Sequence, residues 1–170
     1  MHRIFTTLIF FLVLVSFVGC DQLTKTLAKR DLITSRPALY LNGVVRLEYA
    51  ENPGLFMSIG ASLPENLRSV IHAATGVLIF TGLILLVVKA PRVGRRRWLG
   101  SCLLFAGACG NLLDRLTNDG RVIDFIMIDL GRLRTGVFNV ADLLILSGVV
   151  ILLLGAGRRK EPVGLMDNMG

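Results

Sequence analysis

The chain has 170 residues, 53% of them hydrophobic, with a mean hydropathy of +0.65 and a formal net charge of +7. That is too apolar for a water-soluble domain of this size, and it directs attention to apolar runs long enough to span a bilayer. The positive charge does not point to nucleic acid, because the bases cluster beside apolar runs: Lys89, Arg92, Arg95, Arg96 and Arg97 form one group, and Arg158, Arg159 and Lys160 another.

The chain opens with a basic residue, an apolar stretch and the terminal pair Gly19-Cys20. This imitates a lipoprotein signal peptide, but Phe17 is a poor fit to such a signal and further apolar runs follow, so the segment is read as a first membrane span over about residues 4–20. Asp21 and Lys25 follow it four residues apart and share a face if the helix continues. Next, residues 39–49 read as a β-hairpin turning at Asn42-Gly43. The sequence Asn52-Pro53-Gly54 reads as a turn in which Gly54 lets backbone approach a ligand. Ser62-x-x-Glu65 has the form of a helix-capping box.

Three more spans are expected, over about residues 70–90, 98–113 and 137–156. His72 falls in the second and is read as an interhelical hydrogen-bond partner. In the third, Gly107, Asn111 and Asp114, with Gly110 and Arg115 beside them, give one polar face lined by small residues that permit close helix approach. Residues 122–128 and 136–139 read as a further strand pair. Cys20, Cys102 and Cys109 have no paired spacing and are read as packing residues. Residues 158–170 form a tail, disordered over its last ten residues.

The basic loop between spans two and three and the basic tail should both be cytoplasmic. The expected fold is therefore an all-α membrane protein, a four-transmembrane-helix bundle with a small extracytoplasmic β-sheet on its outer face. Residues 1–157 form its body, and both termini are cytoplasmic. On this topology Asp124 lies in an outer loop and Asp142 about one and a half turns into span four, at the same surface. Ionisable groups at such places are costly and mark function, and two acids sharing a proton are the chemistry of an aspartic protease. With His only at positions 2 and 72 and no phosphate-binding loop, metal, Ser-His and nucleotide chemistry have no support. A small proton-coupled carrier using the acids as a relay is the alternative enzyme-free reading, and a structural membrane subunit a third.

Five motifs occur in order: Asp21-Gln22-x-x-Lys25, Asn52-x-Gly54, Gly107-x-x-Gly110-Asn111-x-x-Asp114-Arg115, Val122-x-Asp124-Phe125, and Phe138-Asn139-x-Ala141-Asp142. Together with the span layout they resemble the bacterial lipoprotein signal peptidase family, signal peptidase II, over about residues 4–156. The resemblance implies an aspartic endopeptidase of the bacterial inner membrane that removes the signal peptide of prolipoproteins before a diacylglyceryl-modified cysteine. It implies Asp124 and Asp142 as the catalytic dyad, and Asp21, Lys25, Asn52, Gly54, Asn111, Arg115 and Asn139 lining or bracing the substrate site. It further implies lipidated prolipoproteins and membrane lipids as partners, inhibition by globomycin-type cyclic peptides, and neither metal nor cofactor. Two departures stand out: Leu55-Phe56-Met57 replaces two small residues and an aromatic, and Ala106-Gly107 replaces a glycine pair.

Overall fold

The computed structural model describes residues 2–55, 58–89 and 94–156. Among the described residues there are four helices, α1 (His2–Leu32), α2 (Glu65–Lys89), α3 (Arg95–Thr117) and α4 (Val140–Ala156). Three strands, β1 (Ala38–Tyr40), β2 (Val45–Asn52) and β3 (Val122–Ile128), form an antiparallel sheet in the order β1-β2-β3. In α1 and α2 the segments Thr7–Leu32 and Glu65–Leu86 are long and apolar enough to cross a membrane, and α4 contributes a shorter apolar stretch, Val140–Gly155.

The helices are apolar outside and polar within. Leu8, Leu12 and Val15 on α1, Val77, Leu78 and Phe80 on α2, and Leu153 and Leu154 on α4 all stand exposed, whereas Asp21, Lys25, Asn111, Asp114, Asp124, Asn139 and Asp142 are buried. Such an apolar surface suits hydrocarbon and not water.

Close packing of α3 on α4 places the polar interior. Gly100, Ala106, Gly107 and Gly110 of α3 are buried. A methyl group on Gly107 would come within 2.3 Å of the Ala141 carbonyl, and one on Gly148 within 2.6 Å of both the Gly100 carbonyl and the Leu104 amide. The expected small-residue face of span three is therefore a backbone-to-backbone seam. At the far end, Phe10, Leu86 and Cys102 form an apolar cluster, with Trp98 edge-on to Phe10. Cys102 is the packing residue expected of it. Cys20 is exposed and Cys109 half-buried, and all three thiols are free.

Several local expectations need correction. The 39–49 hairpin forms, but Tyr40 pairs with Val45, so the connection is a 3-10 turn over Leu41–Gly43 plus Val44, not a two-residue loop. Leu41, Asn42 and Gly43 all take positive φ, with only Gly43 doing so at no steric cost. Residues 136–139 do not form a strand. Phe138 makes an isolated bridge to Ile126, and its carbonyl accepts from both Phe125 and Ile126. The Ser62 capping box fails because α2 begins at Glu65, too early for that residue to reach back as a third-position cap. The Pro64 carbonyl instead accepts the first helical bond, from Arg68. Residues 56–57, Arg92 and the tail 158–170 lie outside the described residues.

The α3–α4 seam gives a direct prediction. Gly148→Val forces side-chain atoms into backbone and should cost about 1–3 kcal/mol of stability, read as a lowered thermal midpoint in detergent. Gly19→Ala, with nothing within 4 Å of the added methyl, should leave the midpoint unchanged.

Candidate active site

The two aspartates meet on one residue. Asn139 lies just before α4, where its Oδ1 accepts from the Asp142 amide at 3.0 Å while Asp142 Oδ2 accepts from the Asn139 amide at 3.2 Å. This reciprocal pair is a capping box with Asn and Asp in place of the usual Ser and Glu. Asp142 therefore sits in the first turn of α4, not one and a half turns in, and the positive end of the helix faces its carboxylate. The remaining hydrogens of Asn139 turn to the other acid: Nδ2 donates to Asp124 Oδ1 at 2.7 Å and lies 3.1 Å from Asn111 Oδ1 and 3.2 Å from the Ile123 carbonyl.

Asp124 comes from β3, in register opposite Ala50 of β2. Its second oxygen, Oδ2, accepts from Asn52 Nδ2 at 3.0 Å, and that same amide group donates to the Leu55 carbonyl at 2.8 Å. Burial pushes the Asp124 carboxyl up to about 6, with the Asn52 and Asn139 amides pulling down and the Asp142 charge adding to the rise. Asp142 Oδ1 accepts from Asn111 Nδ2 at 2.9 Å. Three asparagines from three separate parts of the chain thus hold the four carboxylate oxygens together with one backbone amide.

Gly54 plays a different part from the one its sequence suggests. A methyl group there would stand 2.5 Å from the Ile59 carbonyl, so the close approach it permits is to its own chain. Its amide donates to Asn52 Oδ1, and its carbonyl accepts from Arg115 Nη2 at 2.8 Å. Arg115 Nη1 donates to the Asn111 carbonyl. The guanidinium therefore ties the 52–55 turn to α3.

Asp21 and Lys25 belong to a second, fully buried cluster. Lys25 Nζ lies 2.7 Å from Asp21, 3.0 Å from Asp114 and 2.9 Å from Asn111 Oδ1. Asp21 accepts from the Ala141 amide at 2.8 Å, and Asp114 from the Ile123 amide at 2.9 Å and from Gln22 at 2.7 Å. At 0% and 1% exposure Asp21 and Lys25 present no surface to a ligand. Asp21 and Asp114, both held by Lys25, fix the chain immediately before each acid: Ile123 precedes Asp124, and Ala141 precedes Asp142. Gly110 allows this, since a methyl group there would meet Asp21 Oδ2 at 2.5 Å.

A cavity of about 200 Å³ opens beside Asp142, walled by Leu55, His72, Thr75, Asn111, Arg115 and the apolar residues around them. Sequence reasoning singled out the acids, the asparagines and Arg115. It set Asp114 only on the polar face of span three, without assigning it to the site, although its spacing from Asn111 was the available signal. Thr75 it did not mention, and His72 it read only as a helix-packing partner. Among the described residues no group of His, Cys, Asp and Glu has the arrangement of a metal site.

Known proteins resemble the chain in both sequence and fold. Residues 12–157 match the family model described as signal peptidase (SPase) II. The chain is 35% identical over 165 residues to the lipoprotein signal peptidase of Chlorobium phaeovibrioides, covering 88% of this chain and 90% of that protein. It is 30% identical to that of Rhodococcus jostii, covering 92% and 76%. A bacterial membrane enzyme solved by the in meso method shares the fold, with a TM-score of 0.72 at 22% identity over 91% of this chain and 94% of that one. On a family match that spans the sheet, the four helices and both aspartates, the chain belongs to the signal peptidase II family.

Proposed function

We propose that this signal peptidase removes the signal peptide of prolipoproteins by aspartic chemistry, with Asp124 and Asp142 as the dyad. The observation that carries this reading is Asn139, whose side chain and backbone bind one acid each. Two carboxylates that share one asparagine cannot both ionise cheaply, so the pair keeps one proton well above the ordinary carboxylate range.

The surroundings of the acids support a division of labour. Asp142 faces a helix N-terminus, which favours the carboxylate. Both acids are buried, but Asp124 has no helix dipole to offset its burial, so its protonated form is favoured. Asp142 then takes a proton from the attacking water as the new bond to the scissile carbonyl forms. Asp124 hydrogen-bonds the carbonyl oxygen through its proton and, as the C–N bond breaks, passes that proton to the leaving amine, while the proton taken from water stays on Asp142 and restores the singly protonated dyad. Asn111 and Asn139 orient Asp142, while Asn52 and Asn139 orient Asp124. Arg115 holds the 52–55 turn against the site and offers its guanidinium to substrate carbonyls. Asp21 and Lys25 brace the two acid-bearing segments and do not touch the substrate. A carrier reading finds no support in relatives such as the lipoprotein signal peptidases of Rhodococcus jostii and Chlorobium phaeovibrioides.

The apolar outer faces of the helices place the chain in a membrane, and we propose four spans in the bacterial inner membrane with both termini cytoplasmic. The sheet and dyad then face outward, where water reaches the acids while the substrate's lipid and signal helix stay in the bilayer. The reading extends to a diacylglyceryl-modified cysteine after the scissile bond and to inhibition by globomycin-type cyclic peptides. It needs neither metal nor cofactor.

Three outcomes are expected. First, Asp124→Asn and Asp142→Asn should each lower cleavage of a lipidated prolipoprotein by pure enzyme by about 10²–10⁴-fold, since an amide cannot exchange the proton. The double variant should be no worse than either single, and Asp129→Asn, an acid paired with Arg134 at the surface, should stay active. Near-normal cleavage in either dyad variant with loss in the control would show that the acids are misassigned. Second, Arg115→Lys should still accumulate in the membrane yet lose roughly tenfold or more in activity, because an ammonium cannot span the Asn111 and Gly54 carbonyls as the planar fork does. Third, reporter fusions after residues 95 and 160 should be active in the cytoplasm and one near residue 45 outside it. An outside signal at 95 would defeat the four-span arrangement.

A further inference from the structure

We infer that the groove between α2 and α3 receives one acyl chain of the substrate's diacylglyceryl group, admitted by the missing side chain of Gly76. The inference rests on the proteolytic reading above. If cleavage falls just before the lipidated cysteine, the glyceryl group hangs within a residue of the dyad. Its chains must then leave the catalytic cavity almost at once, through whichever wall opens to lipid.

One wall of the catalytic cavity is shared with a second cavity. His72, Leu112 and Arg115 line the catalytic cavity beside Asp142, and the same three side chains line a larger groove of about 670 Å³. The larger groove is built for an amphiphile. Ser69, His72 and Arg115 gather at its polar end, near the start of α2 and the end of α3. Gly76, Val77 and Phe80 continue along α2 toward the middle of the membrane. Ser69 to Phe80 is twelve residues of helix, a span of about 17 Å at the helical rise, which accommodates most of a fatty-acyl chain. Val77 and Phe80 are 65% and 67% exposed, so the groove opens sideways to lipid.

The polar end has a donor to spare. Arg115 uses Nη1 on the Asn111 carbonyl and Nη2 on the Gly54 carbonyl, while its buried Nε has no partner. A buried unpaired donor is costly, and an ester carbonyl entering past His72 would satisfy it. A further apolar groove, about 310 Å³ between α1 and the sheet, shares no residue with the catalytic cavity.

Gly76 makes the proposal testable without damaging the active site. It does not line the catalytic cavity. A methyl group at Gly76 would meet Leu112 at 3.5 and 3.9 Å, ordinary contact, so a larger side chain extends into the groove and not into backbone. The experiment uses the full-length enzyme in detergent with two synthetic prolipoprotein peptides, one carrying a dipalmitoyl glyceryl group and one a dibutyryl group. Gly76→Leu should raise KM for the dipalmitoyl peptide roughly tenfold relative to the unmodified enzyme, with kcat little changed and the dibutyryl peptide unaffected. Gly76→Ala, which retains most of the groove, should give a smaller effect of the same selectivity, and thermal midpoints confirm that both variants fold. An equal change for both peptides, or none for either, would overturn the assignment and leave the groove to bulk phospholipid. Failure of the unmodified enzyme to cut either peptide would instead refute the proteolytic reading, and this proposal with it.

Discussion

One asparagine organises the site. Asn139 caps α4 through its Oδ1, receives the Asp142 carboxylate on its backbone amide, and spends its Nδ2 on Asp124. No other residue type supplies an acceptor and a two-hydrogen donor on so short a stem. Serine could cap the helix but has no amide N–H left to donate to the second acid. Aspartate would bring a third negative charge into the cluster. Helix capping, an ordinary stabilising device, thereby becomes the means of holding the two aspartates in register.

That arrangement depends on a buried ionic brace around Lys25. Lys25 sits between Asp21 and Asp114, and the two carboxylates pass the constraint to the Ala141 and Ile123 amides. Removing Lys25 would leave acids buried without their counter-charge, a far larger penalty than the loss of a surface pair. The brace also joins α1, α3, β3 and the start of α4, elements that the sequence sets up to 120 residues apart. Small residues along the α3–α4 seam make this possible by letting backbones approach within hydrogen-bond reach of buried side chains. The protein thus reverses the usual arrangement of a water-soluble core, with its polar contacts inside and its apolar surface outward.

Much of this was legible in the sequence, because a polar residue in an apolar run is conspicuous. The acids, the three asparagines and Arg115 all stand out against hydrocarbon-compatible neighbours, and all converge on one site. The helices were found, but their ends were not. Span one continues through Asp21 and Lys25 to Leu32 because those charges are neutralised internally, so nothing forces the helix to stop. The start of α4 was placed too early because Val137 and Phe138 are apolar, yet Phe138 is committed to β3 through its carbonyl. The hairpin was legible, but its turn type was not, since Leu41 takes a positive φ that its residue type does not announce. Asp21 and Lys25 show the limit of pattern reading. Their spacing indicates a shared face, but only the packed structure shows that the face is closed to substrate.

The central claim is that the site holds one shared proton and that Asp124 carries it. Infrared difference spectroscopy of the purified enzyme, following the protonated-carboxyl stretch against pH, tests this most directly. Burial holds the Asp124 carboxyl up to about 6, so the band should be present below that pH and fade as pH rises through it. Asp124→Asn should abolish this band. Asp142→Asn should retain it, titrating at lower pH because a neighbouring negative charge has been removed. A band that survives in Asp124→Asn and vanishes in Asp142→Asn would contradict the account.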